Sequence, residues 1–203
     1  MLVIHEGKFG AAVAARLARR FPEAVQVPLD EVTEAHYANA RVVLVASWRR
    51  RQRTLDQIDA QCHRAGVRWS AAVLEGMHVV VGPLVIPGRG ACMSCFWRRY
   101  LTHARTPQWE LALVDAYEAN PVRGPAGFPP AAVGMAASAL AADAVAEPRL
   151  AGRVIRASLL GSELVDTRVV PIHGCERCSI RRKTPDRRFV AELVPQLEEM
   201  FAP

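Results

Sequence analysis

The sequence predicts an α/β fold in which helices flank a mainly parallel sheet, with a β-hairpin near the C-terminus. Over residues 2–74, short apolar runs alternate with helix-length segments, which is the pattern of a parallel sheet whose strands are joined by right-handed crossovers. Residues 42–45 read Val-Val-Leu-Val, as expected for a strand that is buried on both faces. Two further apolar segments straddle Gly161-Ser162, and this spacing predicts the hairpin.

In the first half of the chain, glycine and proline mark the breaks between elements. The first strand leads through Gly7 and Gly10 into an alanine-rich helix that ends before Pro22. A later helix stops at Gly66. The predicted strands cover residues 2–4, 25–28, 41–46 and 67–74, and the predicted helices cover residues 11–20 and 54–64.

The pattern changes after residue 76. Residues 77–81 and 84–86 flank Gly82-Pro83, which predicts a strand pair or a bend. The other predicted elements are helices at residues 91–104, 130–146 and 188–201, a loop rich in glycine and proline at residues 120–130, and hairpin strands at residues 154–160 and 163–170.

The composition is that of a folded protein. Of 203 residues, 51% are hydrophobic and 23% are charged, so the chain can bury a core and is not a disordered segment. Its apolar runs are far shorter than the ~20 residues that a membrane helix needs. The first residues lack the basic flank and the cleavage site of a signal peptide. We therefore predict a cytoplasmic protein with no membrane partner.

The net charge of +6 is concentrated in arginine-rich clusters at residues 49–53, 98–99 and 181–188. Such clusters attract nucleic acid or other polyanions in some proteins and form solvated surface in others. No aromatic stacking platform interleaves with them, as single-strand binders require. We therefore expect no nucleic-acid partner.

Two CxxC pairs lie far apart in the sequence, at Cys92 and Cys95 and at Cys175 and Cys178. Each pair can present two thiolates to one ion, and a tetrahedral site of four cysteines favours structural zinc, because no position stays open for chemistry. Four cysteines also hold iron–sulfur clusters, and a single CxxC serves in redox centres, so these alternatives stay open. Disulfides are not expected in a reducing cytoplasm. The fifth cysteine, Cys62, is expected to be a small core residue.

The turn after the first strand resembles a dinucleotide-binding loop that has lost one glycine. Aligned with GxGxxG, it reads His5-x-Gly7-x-x-Gly10, and Asp30 follows about 20 residues later, where a ribose-binding carboxylate is expected. Alternatively, Gly7 and Gly10 serve only packing. Residues 46–49 read Ala-Ser-Trp-Arg and offer no acid to hold magnesium at this strand end. We therefore expect neither ATP binding nor catalytic residues on this chain.

Three segments of the sequence, considered together, indicate a resemblance to a known protein family. They are residues 5–10, the segment Gly82-Pro83-Leu84-Val85-Ile86-Pro87-Gly88 that runs into the first CxxC, and the late second CxxC. Together they resemble the ubiquitin-activating-enzyme-like (ThiF-like) superfamily. Within it, the chain is most similar to the cyclodehydratase C component, or ocin-ThiF-like protein, which partners YcaO enzymes in thiazole/oxazole-modified peptide biosynthesis. The resemblance implies a single Rossmann-like domain, residues 1–203, with a Rossmann-like half at residues 1–90 and a zinc-stapled half at residues 91–203.

For function, the resemblance implies a non-catalytic scaffold in the biosynthesis of a ribosomally made, post-translationally modified peptide. Such a protein supports an ATP-using YcaO-type cyclodehydratase, presents the precursor peptide and forms a homodimer. Related full-length proteins carry an N-terminal winged-helix clamp for the leader peptide. Because the first strand begins at Leu2, we expect this clamp to be lacking and a separate clamp protein to supply it. Two alternatives stay open: an ATP-dependent adenylating enzyme of the ThiF/MoeB type, and a zinc-ribbon nucleic-acid-binding protein that uses the basic residues 181–188.

Overall fold

The computed structural model describes residues 1–178. In this part of the chain the strands are β1 (Leu2–Glu6), β2 (Val25–Pro28), β3 (Val42–Ser47), β4 (Arg68–Glu75), β5 (His78–Val81), β6 (Arg153–Ser158) and β7 (Leu164–Arg168). The helices are α1 (Gly7–Arg20), α2 (Glu34–Ala38), α3 (Gln52–Ala65), α4 (Met93–His103), α5 (Pro107–Ala119) and α6 (Pro130–Ala144).

All these strands belong to one sheet with the order β2-β1-β3-β4-β5-β6-β7. Strands β1 to β4 pair in parallel, and β5, β6 and β7 extend the sheet in antiparallel pairs. The predicted α/β class and the β6–β7 hairpin are therefore confirmed. The sheet is mixed, because β4 and β5 are joined by the two-residue turn Gly76-Met77, which can connect only antiparallel neighbours.

The sheet lies between two layers of helices. Alternate residues of β3 contact opposite layers: Val43 and Val45 belong to the cluster with α3 and α4, whereas Leu44 and Ala46 belong to the cluster with α1 and α6. Burial on both faces explains why an apolar run without alternation forms a central strand. The strand order reverses between β1 and β3, so their carboxyl ends border the crevice in which open α/β sheets bind ligands.

Several elements differ from the sequence-based expectation. Helices α2 and α5 were not predicted, and residues 84–86 form no regular strand, although Val85 makes an isolated bridge to Trp69. The expected terminal helix at residues 188–201 and the basic cluster at residues 181–188 lie outside the described residues. Among residues 1–178, no helix has both the length and the apolar character needed to cross a bilayer.

Candidate functional site

The four cysteines of the two CxxC pairs lie together at the start of α4. Cys92 precedes the first turn of α4 and Cys95 lies within it, while Cys175 and Cys178 come from the segment after β7. The Sγ atoms are 3.8 Å apart in Cys92–Cys95, 3.6 Å in Cys92–Cys175 and 3.3 Å in Cys95–Cys178, and all four lie within 4.8 Å of one another. Tetrahedral zinc–sulfur bonds of about 2.3 Å place sulfur atoms about 3.8 Å apart. The arrangement therefore fits a tetrahedral metal ion.

Burial controls the ionisation of these thiols. It raises the pKa of Cys178 to about 12 and also raises the pKa of Cys92. Burial opposes ionisation of Cys175 too, but hydrogen bonds from the backbone of Cys178 and Arg177 and from the thiols of Cys95 and Cys178 together outweigh it and lower the pKa of Cys175 to about 7. Metals bind the thiolate form, so a bound cation must offset the cost of ionising buried thiols. Metal binding would therefore release protons and weaken as the pH falls.

The segment that carries the second pair is also tied to α4 by hydrogen bonds. The backbone amide of Ile172 donates to Sγ of Cys95 over 3.3 Å. The side chain of Arg99 donates from Nε to the carbonyl oxygen of Val170 over 2.7 Å. Hydrogen bonds to a ligand atom fix its orientation and tune its metal affinity. Cys62 is buried on α3 and does not belong to the cluster, as predicted.

At the carboxyl ends of β1 and β3, the turn that resembles a phosphate loop is covered by an aromatic side chain. Gly7 begins α1 with a φ of +66°, and a Cβ atom there would lie only 2.5 Å from the Trp48 ring. The six-membered part of the same ring lies against Gly124, and Gly10 lies against the carbonyl oxygen of Ala46. Packing contacts therefore account for both glycines of the turn, and the Trp48 ring occupies the space next to Gly7.

The acid at the end of β1 is paired within the chain. Oε1 of Glu6 accepts from Nε and Nη2 of Arg49 over 3.2 and 2.8 Å, and Oε2 accepts the Ser47 hydroxyl over 2.5 Å. Arg49 is 1% exposed and also donates to the carbonyl oxygens of Asn120 and Arg123, over 2.5 and 2.7 Å. This ion pair therefore ties the ends of β1 and β3 to the loop between α5 and α6.

The two following arginines are also paired. Arg50 contacts Glu75 at the end of β4, and its guanidinium carbon lies 5.3–5.7 Å from the centres of three aromatic rings of α4. Burial lowers the pKa of Arg50 to about 10, which leaves it charged at neutral pH. Arg51 lies 3.4 Å from Glu6 and 3.1 Å from Glu118 of α5. Three consecutive arginines thus pair with three carboxylates of the same chain.

Beside this ion-pair network lies an apolar cavity of about 590 Å³. Phe9, Trp48, Leu74, Val122 and Phe128 contribute to its walls, and the rings of Phe9 and Phe128 pack edge to face with centroids 5.3 Å apart. A cavity at the point where the strand order reverses is the usual place for a ligand in this class of fold. Its lining is mainly apolar, with Glu6 and Lys8 as the charged members, and is suited to an apolar group.

Asp30, the third residue predicted for a nucleotide site after Gly7 and Gly10, lies apart from this cavity. Asp30 lies in a 3₁₀ turn after β2, is exposed and does not line the cavity. His5 lies within β1, and the acid that sequence reasoning overlooked is its neighbour Glu6. The sequence does carry a signal for this ion pair: a carboxylate ends one strand and a run of arginines follows the adjacent strand. When these strand ends meet in the sheet, the buried charges require partners and therefore pair with each other.

No protein-family model and no curated protein matches this chain. Solved structures do match. A heterocyclase in complex with substrate and cofactor has a TM-score of 0.62 and 16% identity over 90% of this chain and 25% of that chain. The E. coli microcin synthetase McbBCD complex has a TM-score of 0.65 and 11% identity over 86% of this chain and 67% of that chain. For E. coli MccB with ATP, the TM-score is 0.55 and the identity 14%, over 88% of this chain and 65% of that chain.

The chain has the fold of these proteins. The fold expected from the resemblance to cyclodehydratase partner proteins is therefore confirmed. A further match, the heterocyclase TruD, is covered over 28% of its length. This chain thus spans about a quarter of the matched heterocyclases and about two thirds of MccB.

Proposed function

We propose that this chain is a non-catalytic partner protein in the biosynthesis of a ribosomally made, modified peptide. In this role it supports a YcaO-type cyclodehydratase and presents the precursor peptide. The observation that carries the proposal is the ion-pair network in the crevice, where Trp48 covers Gly7 and Arg49 holds Glu6. The fold supports the pathway, because the matched structures include heterocyclases and a microcin synthetase complex.

The charges of the crevice argue against ATP as its ligand. A triphosphate needs cations that can turn towards it. Arg49, Arg50 and Arg51 are held by carboxylates, so within residues 1–178 the exposed Lys8 is the cation of the cavity wall that stays available, and one lysine offers little for three phosphates. Turning Arg49 to a phosphate would remove the main partner of Glu6, and leaving one member of a buried ion pair uncompensated costs about 3–5 kcal/mol. That cost would be subtracted from the free energy of nucleotide binding.

The apolar cavity is instead suited to a side chain of the precursor peptide. Val122 is 81% exposed although it lines the cavity, and Phe128 is partly buried against Phe9. An apolar side chain inserted here would cover this exposed surface and would not need to disturb the Glu6–Arg49 pair. Burial of a branched aliphatic or aromatic side chain contributes about 1.5–3 kcal/mol, which is enough to position a peptide that other contacts also hold.

Reconstitution with a precursor peptide and a YcaO-type enzyme tests the partner role. The loss of one water per ring, followed by mass spectrometry, should be much faster when this chain is present. Val122→Asp should raise the KM for the precursor, because it places a charge in the cavity wall. Val170→Asp is a matched control at an exposed position that does not line the cavity.

Two results would count against these proposals, at different levels. Ring formation that proceeds equally well without this chain would overturn the partner role. Equal KM values for Val122→Asp and Val170→Asp would remove the cavity from peptide binding while leaving the partner role intact.

One observation favours a second function, an ATP-dependent adenylating enzyme: MccB, which has this fold, has been solved with ATP. Calorimetry with ATP and the exchange of pyrophosphate into ATP distinguish this adenylating function from the non-catalytic partner role. We expect neither binding nor exchange for the wild-type chain. Exchange activity that disappears in Gly7→Asp would establish the adenylating function and overturn the non-catalytic one.

We further propose that the cysteine cluster binds zinc and that the protein works as a cytoplasmic homodimer. Elemental analysis should then find one zinc per chain, and light scattering should give twice the chain mass of 22.3 kDa. Iron with visible absorption would instead indicate an iron–sulfur cluster.

A further inference from the structure

One arginine of the second CxxC pair connects the cysteine cluster to the Rossmann-like half of the fold. Arg177 lies between Cys175 and Cys178, and its Nη1 atom donates to the carboxylates of Asp56 over 2.7 Å and Asp59 over 3.1 Å. The same atom donates to the backbone carbonyl oxygen of Asp56 over 3.0 Å. Both acids belong to α3. The contact therefore joins two parts of the chain that are 118 positions apart.

Asp59 makes this contact costly to break. Its side chain is fully buried, and Oδ1 accepts from Nε1 of Trp69 over 2.9 Å and lies 3.4 Å from Nδ1 of His63. Oδ2 accepts from Arg177, which carries its positive charge throughout the physiological pH range. A buried carboxylate that loses its cationic partner is strongly destabilising. Asp59 therefore favours those arrangements of the segment in which Arg177 lies on α3.

The contact of Arg177 with α3 also restricts the positions of the two neighbouring metal ligands. Arg177 is adjacent to Cys178 and two residues from Cys175, so an arginine held on α3 restricts where both sulfur atoms can lie. Restriction before binding reduces the conformational entropy that the metal must offset. Residues flanking a metal site act in the same way when they orient its ligands by hydrogen bonds.

We propose that the Arg177–Asp59 ion pair positions Cys175 and Cys178 for the metal and thereby couples metal binding to the packing of the cysteine segment on α3. Coupling between two contacts is reciprocal. The metal must therefore stabilise the ion pair by the same factor by which the ion pair strengthens metal binding. The inference requires that the four cysteines bind a metal ion, and it is independent of the role in peptide modification.

Zinc affinity, measured on the full chain by competition with a chromophoric chelator, tests the proposal. Arg177→Met should weaken zinc binding by about 10- to 100-fold, the range found when partners of metal ligands are removed. Asp59→Asn should weaken it less, because Arg177 keeps its bonds to Asp56. The double variant should bind zinc about as tightly as Arg177→Met alone, because Arg177→Met already removes the contact with Asp59. Arg64→Met is the matched control: Arg64 lies on α3, as Asp59 does, and pairs with Glu34 at the surface, where the two side chains are 66% and 81% exposed, so its loss should change the affinity at most a few fold.

Amide hydrogen exchange in α3 distinguishes coupling through Arg177 from a simple loss of zinc affinity. Removing zinc should speed amide exchange in α3 of the wild-type chain, whereas in Arg177→Met it should change α3 little, because the contact is already broken. Equal acceleration in both proteins, or a zinc affinity of Arg177→Met equal to that of Arg64→Met, would overturn the proposal. Arg177 is partly exposed, so its variant decides the matter even where Asp59→Asn fails to fold. A wild-type chain that binds no zinc would overturn the coupling together with the metal centre.

Discussion

Replacing Arg49 with methionine should destabilise the folded chain by about 3–5 kcal/mol, since it removes one partner of a buried ion pair and leaves the other charged. The side chain of Arg49 is 1% exposed and that of Glu6 is 14% exposed. Methionine fills much of the same space and adapts to irregular gaps, so the packing loss should be small. Arg51, at 3.4 Å from Glu6, retains part of the charge compensation. The expected value therefore lies towards the lower end of the range.

Thermal and urea unfolding of the metal-loaded protein at neutral pH measure this effect. For a chain of 203 residues, a loss of 3–5 kcal/mol corresponds to a fall in Tm of roughly 6–20 °C. Arg53→Met is the control, because Arg53 pairs with Asp115 at the surface, where the two side chains are 68% and 61% exposed. Exposed pairs contribute about 0–1 kcal/mol.

If Arg49→Met is no more destabilising than Arg53→Met, the buried Glu6–Arg49 ion pair does not stabilise the fold by the expected amount. The double variant Glu6→Gln with Arg49→Met separates charge from packing. If the cost arises from an unpaired carboxylate, neutralising Glu6 should recover part of the lost stability. A double variant that is as unstable as the sum of the two single variants would show that the loss comes from packing and from the hydrogen bonds of Arg49 to Asn120 and Arg123, and not from the charge of Glu6.

The metal centre and a buried acid on α6 offer further tests. Cys178→Ser should reduce the metal content well below one ion per chain, whereas Cys62→Ser should leave it unchanged because Cys62 lies outside the cluster; elemental analysis measures both. A chelator that removes the metal should lower the Tm of the wild-type chain but not that of Cys178→Ser, since binding of a structural metal contributes directly to folding. Burial raises the pKa of Asp143 despite opposition from the Ser70 hydroxyl and the charge of Arg153. A raised folded-state pKa means that the stabilisation is complete below the unfolded pKa and is lost as the pH rises through the folded one. Asp143→Asn should therefore gain stability relative to wild type as the pH rises from about 4 to neutrality; urea unfolding curves that stay parallel over this range would contradict this.

The parallel half of the fold and the cysteine pairs could be predicted because their signals are local. The run Val42–Ser47 shows burial on both faces without any knowledge of its neighbours. In a CxxC pair, the spacing itself places two sulfur atoms on one side of the backbone. Only the convergence of the two pairs had to be assumed, and their sulfur atoms do lie together.

Helix α5 could not be predicted in this way. Only Val114 is buried among its 13 residues, while Trp109 and Leu111 are exposed. A helix that presents one residue to the core leaves no apolar periodicity in the sequence. The direction of β5 is a different case, because the short turn Gly76-Met77 does carry a signal: two residues can join antiparallel strands but not parallel ones.

The roles of Arg49, Arg50 and Arg51 depend on strand order and not on local sequence. In isolation, such a run is typical of solvated surface or of a polyanion-binding patch. Their carboxylate partners come from three elements: Glu6 from β1, Glu75 from β4 and Glu118 from α5. Because β1 and β4 are the two neighbours of β3 in the sheet, acids at their carboxyl ends meet the arginines that follow β3. In a nucleotide-binding crevice the cations at this edge must stay available for phosphate, and here they hold the chain's own acids. This exchange of partners supports the proposal that the crevice receives an apolar group of a peptide in place of ATP.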